Sequence, residues 1–203
     1  MVYRGSKTGK LLPTGNVTDT FDGIKATCID VGNPAVFIQA QDVDVSGTIL
    51  PDEVDAHPTL LRRLESIRRK GAVAMGICAD EDSTPGSIPK IAMISRSTSH
   101  KLLSGDMIQG NTIDLVVRAL SVGQPHRAVP ITLALATAAA ANLEGSVVHA
   151  NVSSERVDPD GITLGHSSGK IMVGAEFDDS RSMTHATVFR TARRLMDGYV
   201  YWK

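Results

Sequence analysis

The apolar positions of this chain fall mostly in short alternating runs, the period of strands, with two stretches that keep helical spacing instead. From Ile24 to Gln39, the residues Ala26, Cys28, Val31, Val36 and Ile38 sit among polar neighbours, and Gly32-Asn33-Pro34 breaks the run. This predicts a strand, a sharp turn and a second strand. Residues 72–78, 88–95 and 112–120 read as further strands, with polar loops over 80–86 and 97–110. Past the middle, residues 146–152, 161–164 and 170–177 continue the β pattern, and Asp158-Pro159-Asp160-Gly161 has the chemistry of a hairpin turn. In the tail, Val188, Ala192 and Leu195 fit a helix while Asp197-Gly198 fits a turn between strands; we read strand.

The first helical stretch covers residues 58–70: Pro58 suits a first helical position, Leu60, Leu61, Leu64 and Ile67 keep the spacing, and Gly71 offers a stop. The second, from Pro130 to about Leu143, is almost entirely Ala, Leu, Ile and Thr. A helix apolar on every side is buried on every side. Its neighbours in sequence are nearly all strands, so the pattern predicts an α+β domain, a curved and mainly antiparallel sheet wrapped around one central hydrophobic helix.

Composition narrows the field. The 203 residues are 42% hydrophobic and 21% charged with a formal net charge of −1, which is globular and carries no electrostatic footprint for nucleic acid or an anionic membrane. The one basic cluster, Arg62, Arg63, Arg68, Arg69 and Lys70, closes the first helix and reads as a solvated face that complements the helix dipole. The longest apolar run, residues 128–141, is shorter than the roughly 20 residues a membrane helix takes. Cys28 and Cys78 are far apart with no signal peptide ahead of them, as in a reduced, cytoplasmic protein.

Two motif matches fail on context. Gly5-Ser-Lys-Thr-Gly9-Lys10 has one residue too few between its glycines for a phosphate loop, and Leu11 follows the lysine. Gly165-His166-Ser167-Ser168-Gly169 matches a nucleophile elbow, but Lys170-Ile171-Met172-Val173 leads into another strand rather than a helix. The six histidines form no metal-ligand spacing, so we expect neither metal nor cofactor.

What remains is a set of anion-binding candidates. Asn33 in its turn can present a side-chain amide. The segment from Ser121 through His126 and Arg127 leads into the apolar helix. A helix that begins in the interior leaves its first amides unpaired, beyond the one Pro130 removes, and so forms an anion site; Thr132 adds a hydroxyl. Ser168 and Gly169 lie in a second small-residue turn able to approach a carboxylate. Each feature also has a plain reading, as a turn or as amides satisfied by water, and both readings stand at this point.

Several of these segments together resemble one family. Leu11-Leu-Pro-Thr-Gly-Asn16, Gly32-Asn33-Pro34, Asp114-Leu-Val-Val-Arg-Ala-Leu-Ser121, the stretch around His126, Gly165-His166-Ser-Ser-Gly169 and Arg190-Thr-Ala-Arg-Arg-Leu-Met-Asp-Gly198 are similar, in order, to the PrpF-type isomerases. That family includes 2-methylaconitate cis-trans isomerase, methylitaconate isomerase and oxalomesaconate tautomerase. The resemblance implies the diaminopimelate-epimerase-like fold of two similar domains, and this chain matches only the second. On that basis residues 1–20 are an interdomain crossover, 21–182 the second epimerase-like domain, and 183–203 a terminal strand segment reaching toward a first domain. The implied function is proton transfer on a small unsaturated di- or tricarboxylate. The implied binding residues are Asn33, Ser121, His126, Pro130, Thr132, Ser168 and Gly169, and the proton-transfer lysine and cysteine belong to the first half. The implied partner is a copy of the chain or a chain carrying that half. Leu133 stands where the family has a glycine, and Ser167 where it has a proline. An amino-acid epimerase of the same fold would begin the helix with a cysteine, and Val129 occupies that position; a non-catalytic carboxylate-binding remnant is the remaining alternative.

Overall fold

A computed structural model describes residues 2–3, 8–191, 195–199 and 201–202. Val2–Tyr3 (β1) and Asp19–Phe21 (β2) precede the first long strand, Ile24–Val31 (β3), which reverses directly into Asn33–Gln39 (β4). Val31 faces Asn33 across the pair, so Gly32 alone makes the reversal, at φ 78°, where a side chain would be strained.

A short helix not anticipated from the pattern, Pro51–Ala56 (α1), follows. Proline occupies its first position, and the Glu53 carboxylate accepts the Leu50 N–H at 2.7 Å. The next helix, Leu60–Ala74 (α2), corrects the expected boundaries. It runs straight through Gly71, and no strand forms over residues 72–78. A Cβ on Gly71 would lie 2.7 Å from Val36 Cγ2, so this glycine is there to let helix and sheet touch. The stop is Gly76, at φ 69°. The solvated reading of the basic cluster also fails at Arg68, which is buried. Its guanidinium holds the Pro85, Ile88 and Pro89 carbonyls at 2.9–3.3 Å and pairs with Glu65 at 2.7 Å.

Lys90–Arg96 (β5) lies parallel to β4, with α1 and α2 forming the crossover. The polar loop over 97–110 contains a small separate ribbon, His100–Lys101 (β6) with Met107–Ile108 (β7). Leu115–Ser121 (β8) then pairs antiparallel with β5 and turns back as Gln124–Pro125 (β9). The apolar segment forms Ile131–Ala141 (α3), buried from Leu133 onward. It packs against β3 and β4 and also against two later strands, Gly169–Phe177 (β11) and Met183–Phe189 (β12), which follow Ile162–His166 (β10).

Residues 146–152 make turns and a single 3-10 turn, not a strand. The Ser146 hydroxyl donates to the Ala140 carbonyl at 2.5 Å and the Asn151 amide to the Val147 carbonyl at 2.9 Å. Such local bonds compete with strand pairing. The Asp158–Gly161 turn therefore feeds β10 from a loop and joins no two strands. Strand is the correct reading of the tail as far as Phe189, but residues 190–191, 195–199 and 201–202 form no strand; Ala192 to Arg194 lie outside the described residues, as do Gly5 to Lys7 of the phosphate-loop match.

The main sheet is ten-stranded and mixed, in the order β1-β12-β11-β10-β8-β5-β4-β3-β2 with β9 on β8. Only β4–β5 and β8–β10 are parallel. One apolar cluster gathers around α3 and a second under α2, and alternation assigns residues to them: Leu115, Val117 and Ala119 of β8 join the first, Leu120 the second. No helix among the described residues is long and apolar enough to cross a membrane.

Candidate functional site

Register brings the candidate residues to one end of the sheet. Asn33 opens β4, and Ala35, two residues on, pairs with Lys90 at the start of β5. Ile91 pairs with Leu120, which places Lys90 next to Ser121 at the end of β8. β10 runs parallel to β8, so its closing turn, Ser167-Ser168, points to the same end. α3 also begins here: the Asn33 side-chain amide donates to the Thr132 hydroxyl at 3.3 Å. The Ser168 hydroxyl donates to the Arg127 carbonyl at 2.7 Å and pins the segment that enters the helix.

The leading end of α3 is uncapped. Pro130 holds the cap position without a side-chain bond, and the first intrahelical bond runs from the Ala134 N–H to the Pro130 carbonyl at 2.9 Å. Among the described residues, the N–H groups of Ile131, Thr132 and Leu133 have no partner. The expectation of an interior start needs correction, because Ile131 is 46% exposed and Thr132 half-buried. These amides open onto a face of the domain, still aligned with the positive end of the helix dipole.

Ser121 is buried and its hydroxyl lies 2.6 Å from His126 Nε2, while the His126 N–H donates to the Ala119 carbonyl at 2.8 Å. Burial, and then the Lys90 charge, hold His126 below the usual imidazole range. Ser121 and His126 thus form a neutral pair beside the helix start, and Ser121 spends its hydroxyl on its neighbour. Burial, Arg118 and His100 push His166 down to about 4. Arg118 is itself buried and bonded to the Ile49 and Thr48 carbonyls at 2.7 and 3.1 Å, and burial lowers it to about 10. With both imidazoles neutral, the positive charge at this end rests on Lys90 and Arg127. Lys90 was not singled out in the sequence, because only the β4–β5–β8 register reveals its place.

In the β10–β11 turn Ser168 is exposed, with its N–H donating to His166 Nδ1 at 3.2 Å. Ser167 faces inward, where its Oγ is buried without a partner among the described residues. Gly169 closes the turn at φ 141° and pairs with His166. This two-residue hairpin is the structural reason that the elbow motif carries no nucleophile. Asn33, Pro130, Thr132 and Ser168 therefore share one face, Ser121 and His126 stand as a coupled pair beside it, and Gly169 shapes the turn.

The site is thus an amide-lined helix start in a sheet-dominated α+β domain, a geometry suited to anions. The chain belongs to the PrpF family: the family described as PrpF protein matches residues 3–203. It is 36% identical over 205 residues to 3-methylitaconate isomerase of Eubacterium barkeri, covering 97% of this chain and 53% of that protein. To 2-methyl-aconitate isomerase of Shewanella oneidensis it is 35% identical, covering 95% of this chain and 50% of the relative. The crystal structure of methylitaconate-delta-isomerase superposes with a TM-score of 0.85 at 34% identity, over 96% of this chain and 52% of that one. This chain thus spans about half the length of the relatives it matches. Other relatives are also named isomerases, among them (4E)-oxalomesaconate Delta-isomerase of a Novosphingobium species at 31% identity.

Proposed function

We propose that this chain supplies the carboxylate-binding face of a cofactor-independent isomerase that moves a proton on a small unsaturated di- or tricarboxylate such as methylitaconate or 2-methylaconitate. The observation that carries the reading is the uncapped start of α3, with three open amides next to the Asn33–Thr132 contact. A substrate carboxylate would take the Ile131, Thr132 and Leu133 N–H groups, with Lys90 supplying charge. The sheet curling around α3 holds those donors fixed, which is supported by α3 meeting strands from both flanks.

Moving the double bond removes a C–H proton beside a conjugated carboxylate, leaves the electron pair in a dienolate, and returns a proton at another carbon. Donors already aimed at the carboxylate stabilise that dienolate as its charge develops, and losing one such donor costs about 3 kcal/mol. His126 is bound to Ser121 and held neutral, so it makes a polar contact and is not the base. The group that carries the proton comes from a surface docked over this face, either a second copy or a chain with the first domain.

Two measurements on one preparation test this. Titration with methylitaconate should move the amide signals of residues 131–133 and weaken in Thr132→Val, and the chain with its docked partner should exchange substrate protons for deuterium. Binding with no exchange in any assembled state leaves a carboxylate-binding protein and sinks the isomerase reading.

A further inference from the structure

The opposite end of the β4–β5 pair holds a second hollow that carboxylate isomerisation does not use. Adjacent parallel strands leave a crevice where their carboxyl ends diverge. Here β4 departs at Gln39 toward α1 and α2, while β5 departs at Arg96 toward β6. Between them lies a space of about 640 Å³, with Asn151 closing a third side. From Asn33 to Gln39 is one strand length, about 20 Å, so the two sites are separate.

The lining is polar and its charge is one-sided. Gln41, Thr48, Ser95, Arg96, Ser97 and Thr98 contribute to the lining, and no lining residue carries a carboxylate. Two acids adjoin the lining in sequence: Asp42 is exposed outside it, and Asp44 is paired with Arg63 at 3.0 Å. Arg96, by contrast, has no ion pair among the described residues, and the side chains of Ser97 and Thr98 have no hydrogen bond there. The Ser95 hydroxyl is out of reach of water and has no partner. It lies under Gly47, where a Cβ would come within 1.9 Å of it, so only a glycine lets the loop close over this hydroxyl. The Ser97 and Thr98 hydroxyls beside an unpaired guanidinium suit an oxyanion, which accepts from all of them.

We propose that this hollow is a second ligand site that binds the oxyanion of a small hydroxylated molecule, with Arg96 as the charge partner and Ser97 and Thr98 as hydroxyl contacts. The phosphate of a polyol phosphate and the carboxylate of a sugar acid share this chemistry.

The test is an amide-resolved NMR titration of the whole chain with inorganic phosphate, glycerol 3-phosphate and glycerate. The expected result is saturable shifts at Gln41, Gly47 and residues 95–98. Arg96→Ala should weaken binding about tenfold or more, the scale of one hydrogen bond to a charged group, while Arg62→Ala, which removes an exposed cation elsewhere, leaves it unchanged. Thr98→Val gives a milder loss in a variant that keeps its charge. Tighter glycerol 3-phosphate or tighter glycerate assigns the source of the oxyanion. Shifts confined to the start of α3, equal losses in Arg96→Ala and Arg62→Ala, or no saturable shift with any of the three probes overturns the proposal.

Discussion

Val122 shows what a single backbone angle costs. It heads the two-residue turn between β8 and β9 at φ 54°, and Gly123 follows at φ 70°. That is the geometry of the hairpin turn that favours Asn-Gly, and a β-branched residue is strained there by roughly 1–3 kcal/mol. Val122 is 66% exposed, so its side chain recovers little by packing. Val122→Asn should raise the stability of the chain by about 1 kcal/mol, read from the urea midpoint. At His166 the relevant variable is the proton. Its folded value of about 4 lies below the ordinary 6.5, so between those two values the unfolded chain binds more protons than the folded one. Stability is therefore level above pH 6.5 and falls as pH drops toward 4. His126 acts in the same direction. His166→Gln should flatten that slope in unfolding free energies measured across the window; an unchanged slope would show that the imidazole is solvated. At the face proposed to bind carboxylate, Asn33→Ala should weaken the proposed methylitaconate binding about tenfold by removing the amide that donates to Thr132.

Among the elements, α2 separates local propensity from packing. Alanine favours a helix over glycine by about 1 kcal/mol, yet Gly71→Ala should lower stability by about 1–2 kcal/mol, because the added methyl meets Val36 at 2.7 Å in a filled core. A thermal melt decides which effect wins. The same position explains one limit of reading this sequence. Gly71 marks a stop for the isolated segment; its real role depends on Val36, on a strand far earlier in the chain. Where the chemistry is local, the pattern sufficed. Gly32-Asn33-Pro34 turns between strands, the Ala-rich segment is a buried helix, and Gly165 to Gly169 is a hairpin. Residues 146–152 misled, because the Ser146 and Asn151 side chains bond the nearby Ala140 and Val147 carbonyls and hold the segment in tight turns. Lys90 and the hollow at Ser95 to Thr98 exist only through strand register, which alternation alone does not specify.

At the scale of the whole molecule, the open start of α3 and the tail pose the same physical problem. Leu195, Met196, Tyr199, Tyr201 and Trp202 follow β12 and are all more than four-fifths exposed. Fully burying one such side chain is worth about 1.5–3 kcal/mol, so the bare run stands to gain most from a second surface. Trp202 makes this measurable, because it is the sole tryptophan and is 96% exposed. In dilute chain its emission should match indole in water and be fully open to iodide. When the docked surface proposed for catalysis is present, the emission should move to shorter wavelength and the quencher should lose access. Removing residues 195–203 should abolish that association while leaving the amide shifts at residues 131–133 intact, since α3 and its start lie within the folded core. A protected Trp202 in the dilute chain would mean that the tail packs on its own domain, and the driving force for docking would then have to come from the open start of α3 alone.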